Sequence, residues 1–283
     1  MTSKIPWLWP EGMVGETYNP TVGCQAIGPG CLNCYAARLA GTRLKQLPLY
    51  EGLATKIGGR YQWTGEVRRA TDKTLGQPYR WKKPRMIFVG SMTDLFYEEQ
   101  DPDTLYEIFD ILARTPQHRY VVLTKRPSRA KRFIEAWCEE VNGPIPSHIY
   151  IGVSGEDQTT YLNRWGSFSA THKDALPPEQ RVLSLEPVIG PIALEPPYPA
   201  WTIIGGESGA RARRFDPKWM LPIISTCVSM QIPVFVKQMG SAWAKDVGAK
   251  DLAGSDISEW HEHLGNLNYL RREFPEGMTA SLS

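Results

Sequence analysis

Short runs of consecutive apolar and β-branched residues recur along the chain at 86–89, 120–123, 149–153, 181–185, 201–204 and 233–236. A strand that is apolar on successive positions must be covered on both faces, as strands of a parallel sheet are. A weaker run at 18–23 leads straight into Cys24 and makes a seventh candidate strand. Between the runs the period becomes helical. Leu105, Ile108, Phe109, Ile111 and Leu112 share one face of a helix expected over 103–113, with Asp101-Pro102 as its start signal. Segments 128–137 and 217–230 read in the same way, the second opened by Asp216-Pro217, and 34–44 is helical in character. The alternation predicts an α/β fold. A partial or complete parallel (β/α) barrel of six or seven units fits best, and a doubly wound sheet is the other arrangement compatible with it. One domain over 1–283 is expected, with 241–283 as a C-terminal extension packed on the barrel.

The runs end in polar clusters. Gly90-Ser91-Met92-Thr93-Asp94, Thr124-Lys125-Arg126-Pro127, Ser154-Gly155-Glu156-Asp157, Glu186-Pro187, Gly205-Gly206-Glu207-Ser208-Gly209 and Lys237-Gln238 follow the six strong strands. In barrels and open α/β sheets the ligand sits at the carboxyl ends of the strands, so these clusters are expected to converge on one site. Glu186, Glu207 and Lys237, at the ends of the last three strands, are the catalytic candidates. A charged group projecting into a barrel mouth is costly unless it is paired or used, so they either contact substrate, move a proton, or form ion pairs with one another.

Composition narrows the setting only a little. A net charge of +2 argues neither for nor against nucleic acid as a partner. No stretch reaches the roughly 18 apolar residues of a membrane span, and the N-terminus lacks the apolar core of a signal peptide, so no membrane partner and a cytoplasmic location are expected. Five cysteines do not make a disulfide scaffold in a chain of 283 residues. Cys138 and Cys227 lie in helix-like apolar segments and read as buried structural thiols.

Cys24, Cys31 and Cys34 are different. Their spacing is C-x6-C-x2-C, and Gly28-Pro29-Gly30 supplies the bend that lets three thiolates face one inorganic group. A structural zinc site wants four ligands, and the nearest downstream histidine is His118, with His148, His172, His261 and His263 scattered beyond it. Three thiolates without a close fourth ligand suit a 4Fe–4S cluster with one iron open; zinc is the competing reading.

A three-cysteine loop after the first strand, followed by a helix and further strand–helix units, resembles the radical S-adenosylmethionine superfamily. The commonest spacing there is C-x3-C-x2-C with an aromatic before the last cysteine; here the first gap is six, Asn33 holds the aromatic's place and Tyr35 follows. These features are similar to the phage-associated three-cysteine-motif, radical-SAM-like family. The similarity continues through Asn19-Pro20, Phe88 to Phe96, Leu123 to Pro127, Gly152-Val153-Ser154, Ser184 to Pro187, Gly205 to Gly209, Val236-Lys237-Gln238 and Arg271 to Pro275.

The resemblance implies an enzyme that cleaves S-adenosylmethionine at a 4Fe–4S cluster and rearranges or modifies a substrate, as an isomerase, a lyase or a related enzyme. It further implies a flavodoxin- or ferredoxin-like electron donor. A DNA or nucleotide substrate follows from the family context, with the host cytoplasm as location if the gene is phage-borne. Cys24, Cys31 and Cys34 would hold the cluster. Ser91 and Asp94 would meet the methionine amino group, Ser154 the ribose or carboxylate, and Thr124 and Lys125, with Arg126, a carboxylate or phosphate. Arg211, Arg213 and Arg214, with Arg68, Arg69, Lys82 and Lys83, are the basic features that could receive nucleic acid, and Trp63, Tyr79 and Trp81 could stack on bases or fill a core.

Overall fold

The structure of the chain is a computed structural model, which describes residues 3–265 and 270–279. Seven strands form one sheet: β1 (Val14–Tyr18), β2 (Arg85–Val89), β3 (Arg119–Thr124), β4 (Ile149–Gly155), β5 (Arg181–Leu185), β6 (Trp201–Gly205) and β7 (Val234–Gln238). Every neighbouring pair is parallel, and the spatial order is the chain order. A doubly wound sheet reverses its order at a switch point. This one never turns back, so each crossover steps the same way and the sheet curls into a half-barrel, with β1 and β7 as its two edges.

The first strand lies earlier than the expected 18–23. Glu16 breaks the apolar pattern of Val14–Tyr18 because at this edge it pairs with Arg85 at 3.3 Å. Pro20 has no N–H for a ladder. Beyond it Thr21–Val22 pairs antiparallel with Arg68–Arg69, outside the main sheet, and Gly23 bridges to Thr93.

Helix α1 (Tyr35–Gly41) packs on the hairpin of Ala54–Ile57 and Arg60–Trp63, and the convex face is covered by α2 (Pro102–Ala113), α3 (Pro127–Glu140), α4 (Gln158–Ser169), α5 (Met220–Ser229), α6 (Ser241–Val247) and α7 (Ile257–Leu264). The start signal read for α2 is real: the Asp101 carboxylate accepts the Thr104 amide at 2.9 Å, and Pro102 stands at the first helical position. The end of the segment read as 217–230 is α5, preceded by a 3-10 turn at Pro217–Trp219. Ile87, Val89, Tyr120, Val122, Ile149, Ile151, Val153, Leu183 and Leu185 bury their side chains under these helices.

The alternate residues of the same strands point the other way. Met86, Val121, Tyr150, Val182, Trp201 and Phe235 form a second apolar cluster on the concave face, closed from below by Trp7 and Leu8 of the N-terminus and by Phe274 and Met278 near the C-terminus. Trp201 packs on Trp7 and Phe235 with ring centroids 6.0 and 6.4 Å apart. The backbone of Arg271 and Glu273 bonds to β7 at 2.8 and 3.0 Å. Of the expected extension 241–283, residues 266–269 and 280–283 lie outside the described residues. Among the described residues no helix is long and apolar enough to cross a membrane.

The plug fills only the amino-terminal end of the concave face. In a strand, residues two apart share a side. Leu123 and Lys125 therefore follow Val121, Ser154 follows Gly152 and Tyr150, Ser184 follows Val182, and Lys237 follows Phe235. Phe88, Leu123, Lys125, Glu186 and Lys237 are half-buried, so solvent reaches this upper part of the half-barrel.

Candidate functional site

The cysteine segment lies across the carboxyl ends of the strands and touches nearly every loop there. Cys24 follows the Gly23–Thr93 bridge. Its thiol donates to Gln25 O at 3.5 Å, and the Arg126 guanidinium stands 3.9 Å from its sulfur. Cys31 closes a 3-10 turn at Pro29–Cys31, and Cys34 is the residue capping the start of α1. All three are unpaired and half-buried. Burial pushes the Cys24 thiol up to about 12, helped by the Asp94 charge and opposed by Arg126. Burial raises Cys34 as well, opposed by the nearby Ala37 and Ala36 amides and the Trp63 side chain.

Contacts with four loops fix the segment. Tyr35 donates to Ser91 O at 2.7 Å and Tyr97 to Gln25 Oε1 at 3.2 Å, joining it to the loop after β2. Arg126 donates to Gln25 O at 2.9 Å, joining it to the loop after β3. Gly30 lies so close to the Glu156 carboxylate, after β4, that any Cβ there would overlap it. After β6, Glu207 accepts the Asn33 amide at 3.0 Å and Arg213 donates to Pro29 O at 3.0 Å.

Asp94 is fully engaged beneath this loop. Its Oδ1 accepts from Phe96 N at 3.0 Å and Thr124 Oγ1 at 2.6 Å; its Oδ2 accepts from Lys125 N at 3.0 Å and Arg126 at 3.2 Å. The role expected for it, pairing with a methionine amino group, would require one of these bonds to be given up. Here the carboxylate joins the turns after β2 and β3, and Thr124 is bound into the same turn by the Arg126 amide at 2.9 Å. Arg126 also bonds Glu98 at 2.8 Å and lies 4.6 Å over the Tyr97 ring. Ser91 donates to Asn19 Oδ1 at 3.1 Å.

The other candidates fall in three ion-paired groups. Glu156, with no exposure at all, holds Lys125 at 3.0 Å and Arg164 at 2.8 Å; burial would raise its carboxyl, and these two cations pull it below the usual range instead. Glu186 and Lys237 meet at 2.7 Å across the end of β6, with Ser184 Oγ 3.4 Å from Glu186. Glu207 stands apart from that pair. Its carboxylate takes the Arg213 side chain at 2.6 Å, and Arg213 holds it low against the effect of burial. Ser154 is buried near the end of β4, and its carbonyl accepts Arg164 at 2.7 Å.

Several residues that complete the site carry no signal of their own in the sequence. Glu156, Arg164 and Tyr97 are among them, as is Asn33, notable there only for a missing aromatic. Asp157 and Thr160 form a capping box at α4, and that signal is legible. Of the basic candidates, Arg68 is paired with Glu66 at 2.7 Å, Arg69 with Glu107 at 2.9 Å, and Arg214 with Asp246 at 3.3 Å. Trp81 packs against the convex core under Arg85, whereas Trp63 lies against Cys34. Cys138 and Cys227 are buried.

Among the described residues no three His, Cys, Asp or Glu side chains close on one ion position. A lone tetrahedral ion needs its ligands converging within about 2.3 Å of one point. A 4Fe–4S cluster is instead gripped at separate irons by thiolates that stand well apart. Three free thiols on one loop, two of them facing N–H donors, are a donor set that fits such a cluster.

The family model described as protein of unknown function (DUF5131) matches residues 3–264, and the chain belongs to that family. No curated protein and no solved structure matches it.

Proposed function

We propose that this DUF5131 chain is a radical S-adenosylmethionine enzyme that uses Cys24, Cys31 and Cys34 to hold a 4Fe–4S cluster and acts on a nucleotide or DNA substrate in the half-barrel beneath. One observation carries the reading: the three-cysteine segment is tied over the carboxyl mouth of a sequentially wound parallel half-barrel whose upper concave face is open and polar. The cluster, reduced by a flavodoxin- or ferredoxin-like donor, would supply the electron that breaks the sulfonium and so starts hydrogen abstraction from the substrate.

The chain's own groups would bind, orient and exclude water. Arg126 places a fixed positive charge beside Cys24, which offsets thiolate charge in a site that burial otherwise makes unfavourable for it. Asp94 keeps the Ser91 and Thr124 turns at a fixed spacing. Lys125, anchored by Glu156, presents its ammonium on the concave face toward a carboxylate, and the Ser154 hydroxyl lies nearby for a ribose. Phe88 and Leu123 floor the space with apolar surface. Glu186 and Lys237 form the pair that can accept or return a proton at the substrate, since each has its partner as a proton neighbour at 2.7 Å.

Anaerobic reconstitution with iron and sulfide tests this. A brown protein with sulfur-to-iron charge-transfer absorption, which forms 5′-deoxyadenosine with S-adenosylmethionine and reductant, is expected. Cys24→Ala, Cys31→Ala and Cys34→Ala should each lose the cluster and Cys138→Ala should keep it. A colourless protein holding stoichiometric zinc would overturn the reading in favour of a zinc-stabilised binding protein. A brown protein that never cleaves the sulfonium would leave a redox or sensor protein.

A further inference from the structure

The cationic groups of the mouth fall into two sets. Lys125, Arg126, Arg164, Arg213 and Lys237 each face a carboxylate within 3.2 Å. Arg38, Arg60 and Arg211 face none among the described residues, yet they share one stretch of rim: Asn33 contacts the Arg60 side chain and the Arg211 carbonyl, and Arg38 reaches the loop that carries Arg211. Asn33, between Cys31 and Cys34, accepts Arg60 Nε at 3.1 Å and donates to Arg211 O at 2.9 Å. The Arg211 guanidinium then lies along the hairpin turn before Arg60: a Cβ built on Gly59, whose φ is +76°, would stand 2.9 Å from Arg211 Nη2. Arg38, on the exposed side of α1, reaches the same loop, 3.8 Å from a Cβ built on Gly209.

Glu207, the acid that also accepts from Asn33, is committed to Arg213, so three guanidinium groups on this rim have no ion-pair partner of their own among the described residues, and an anion would remove the cost of their mutual repulsion. A carboxylate is satisfied by one guanidinium fork, whereas a phosphate offers acceptor oxygens in several directions and suits several forks at an open rim. We propose that Arg38, Arg60 and Arg211 form a phosphate-ester site on the rim of the mouth, which fixes a nucleotide beside the cysteine segment through Asn33. That the phosphate belongs to the reacting substrate rests on the radical reading above; the binding itself does not. The site also gives Asn33 a role. A polar side chain there holds the Arg60 guanidinium and the Arg211 backbone in place, which an aromatic could not do.

The test is binding to the purified chain, with and without a reconstituted cluster. The probes are a labelled single-stranded oligonucleotide of mixed sequence, a deoxynucleoside monophosphate and the matching deoxynucleoside. Monophosphate binding without nucleoside binding identifies a free nucleotide; binding of the oligonucleotide alone identifies a phosphodiester chain. Either supports the site. The double variant Arg38→Gln/Arg211→Gln should weaken binding at least about tenfold and lower the logarithmic salt slope by about 0.7 for each phosphate that no longer meets an arginine. Arg38→Gln alone, at an exposed helical position, should act in the same direction without altering the melting temperature, and Arg214→Gln, already paired with Asp246, should bind as the unmodified chain does. Unchanged binding in the arginine variants, no binding of any phosphate probe, or displacement of the probe by S-adenosylmethionine would overturn the proposal. Intact phosphate binding with no sulfonium cleavage would instead sink the radical reading and leave this site standing.

Discussion

The two sides of the mouth carry ion pairs of opposite construction. Under β2 and β3, Asp94 accepts four hydrogen bonds, two at each oxygen, and its partner Arg126 is 4% exposed and held by Glu98, Gln25 O and the Tyr97 ring as well. Across β5 to β7, Glu186 and Lys237 have each other and one long contact to Ser184, and both remain partly open to solvent. A buried charge is tolerated only when all its bonding capacity is met. The first side is saturated, as a scaffold is; the second keeps bonding capacity free, as the proposed role at a substrate requires.

The largest expected effect comes from breaking the saturated side. Asp94→Asn removes the charge opposite a buried guanidinium and turns two accepting positions into donors facing donors. It should destabilise the chain by about 3–5 kcal/mol, read from the denaturant midpoint at unchanged slope. Glu186→Gln, in a half-open pair, should cost about 1 kcal/mol or less in stability. If the two variants exchanged these costs, the contrast between scaffold and working side would be wrong.

The second effect is on rate. Glu186→Gln and Lys237→Met should each slow substrate turnover about 100-fold or more, the usual contribution of a positioned acid or base. The cluster and reductive cleavage of S-adenosylmethionine without substrate should survive both changes. Equal loss of cleavage and turnover would mean that the pair supports the cofactor region instead of the substrate.

How much of this is legible in the sequence follows the range of each interaction. The six strong strands are legible because apolar periodicity is local, and so is α2 with its Asp101-Pro102 start. The seventh strand lies elsewhere than the pattern places it because Glu16 owes its position to Arg85, far along the chain. The cysteine spacing is legible, and Glu186 with Lys237 can be named as a pair of candidates because both end strands. Long-range partners decide the rest. Asp94 looks like a free loop acid until β3 supplies Thr124, Lys125 and Arg126 to it. Glu156 is one acid among others in a polar cluster, although the fold buries it completely between two cations. The basic residues mislead for the same reason: pairing with distant acids neutralises Arg69 and Arg214, and the arginines left without acids include two, Arg38 and Arg60, that no local pattern marks.

The smallest effect separates charge that stabilises from charge that works. Glu156 and Glu207 are held below the ordinary carboxylate range, Glu156 by Lys125 and Arg164 and Glu207 by Arg213, each against the upward effect of burial. A group with a lowered folded pKa binds its proton more readily when the chain unfolds. Its contribution is therefore complete above the unfolded value of about 4.3 and is lost as pH falls through the folded one. Each group can add at most about 1.4 kcal/mol per pH unit to the acid limb of a stability profile. Glu207→Gln should flatten that limb below about pH 4.3 by up to this slope, as unfolding free energies measured at successive pH values would record. Glu156→Gln should flatten it too, on top of a lower plateau at neutral pH, because it strands two cations where Glu207→Gln strands one. Profiles parallel to that of the unmodified chain would show that these carboxylates are not what holds the cysteine segment to the β4 and β6 loops.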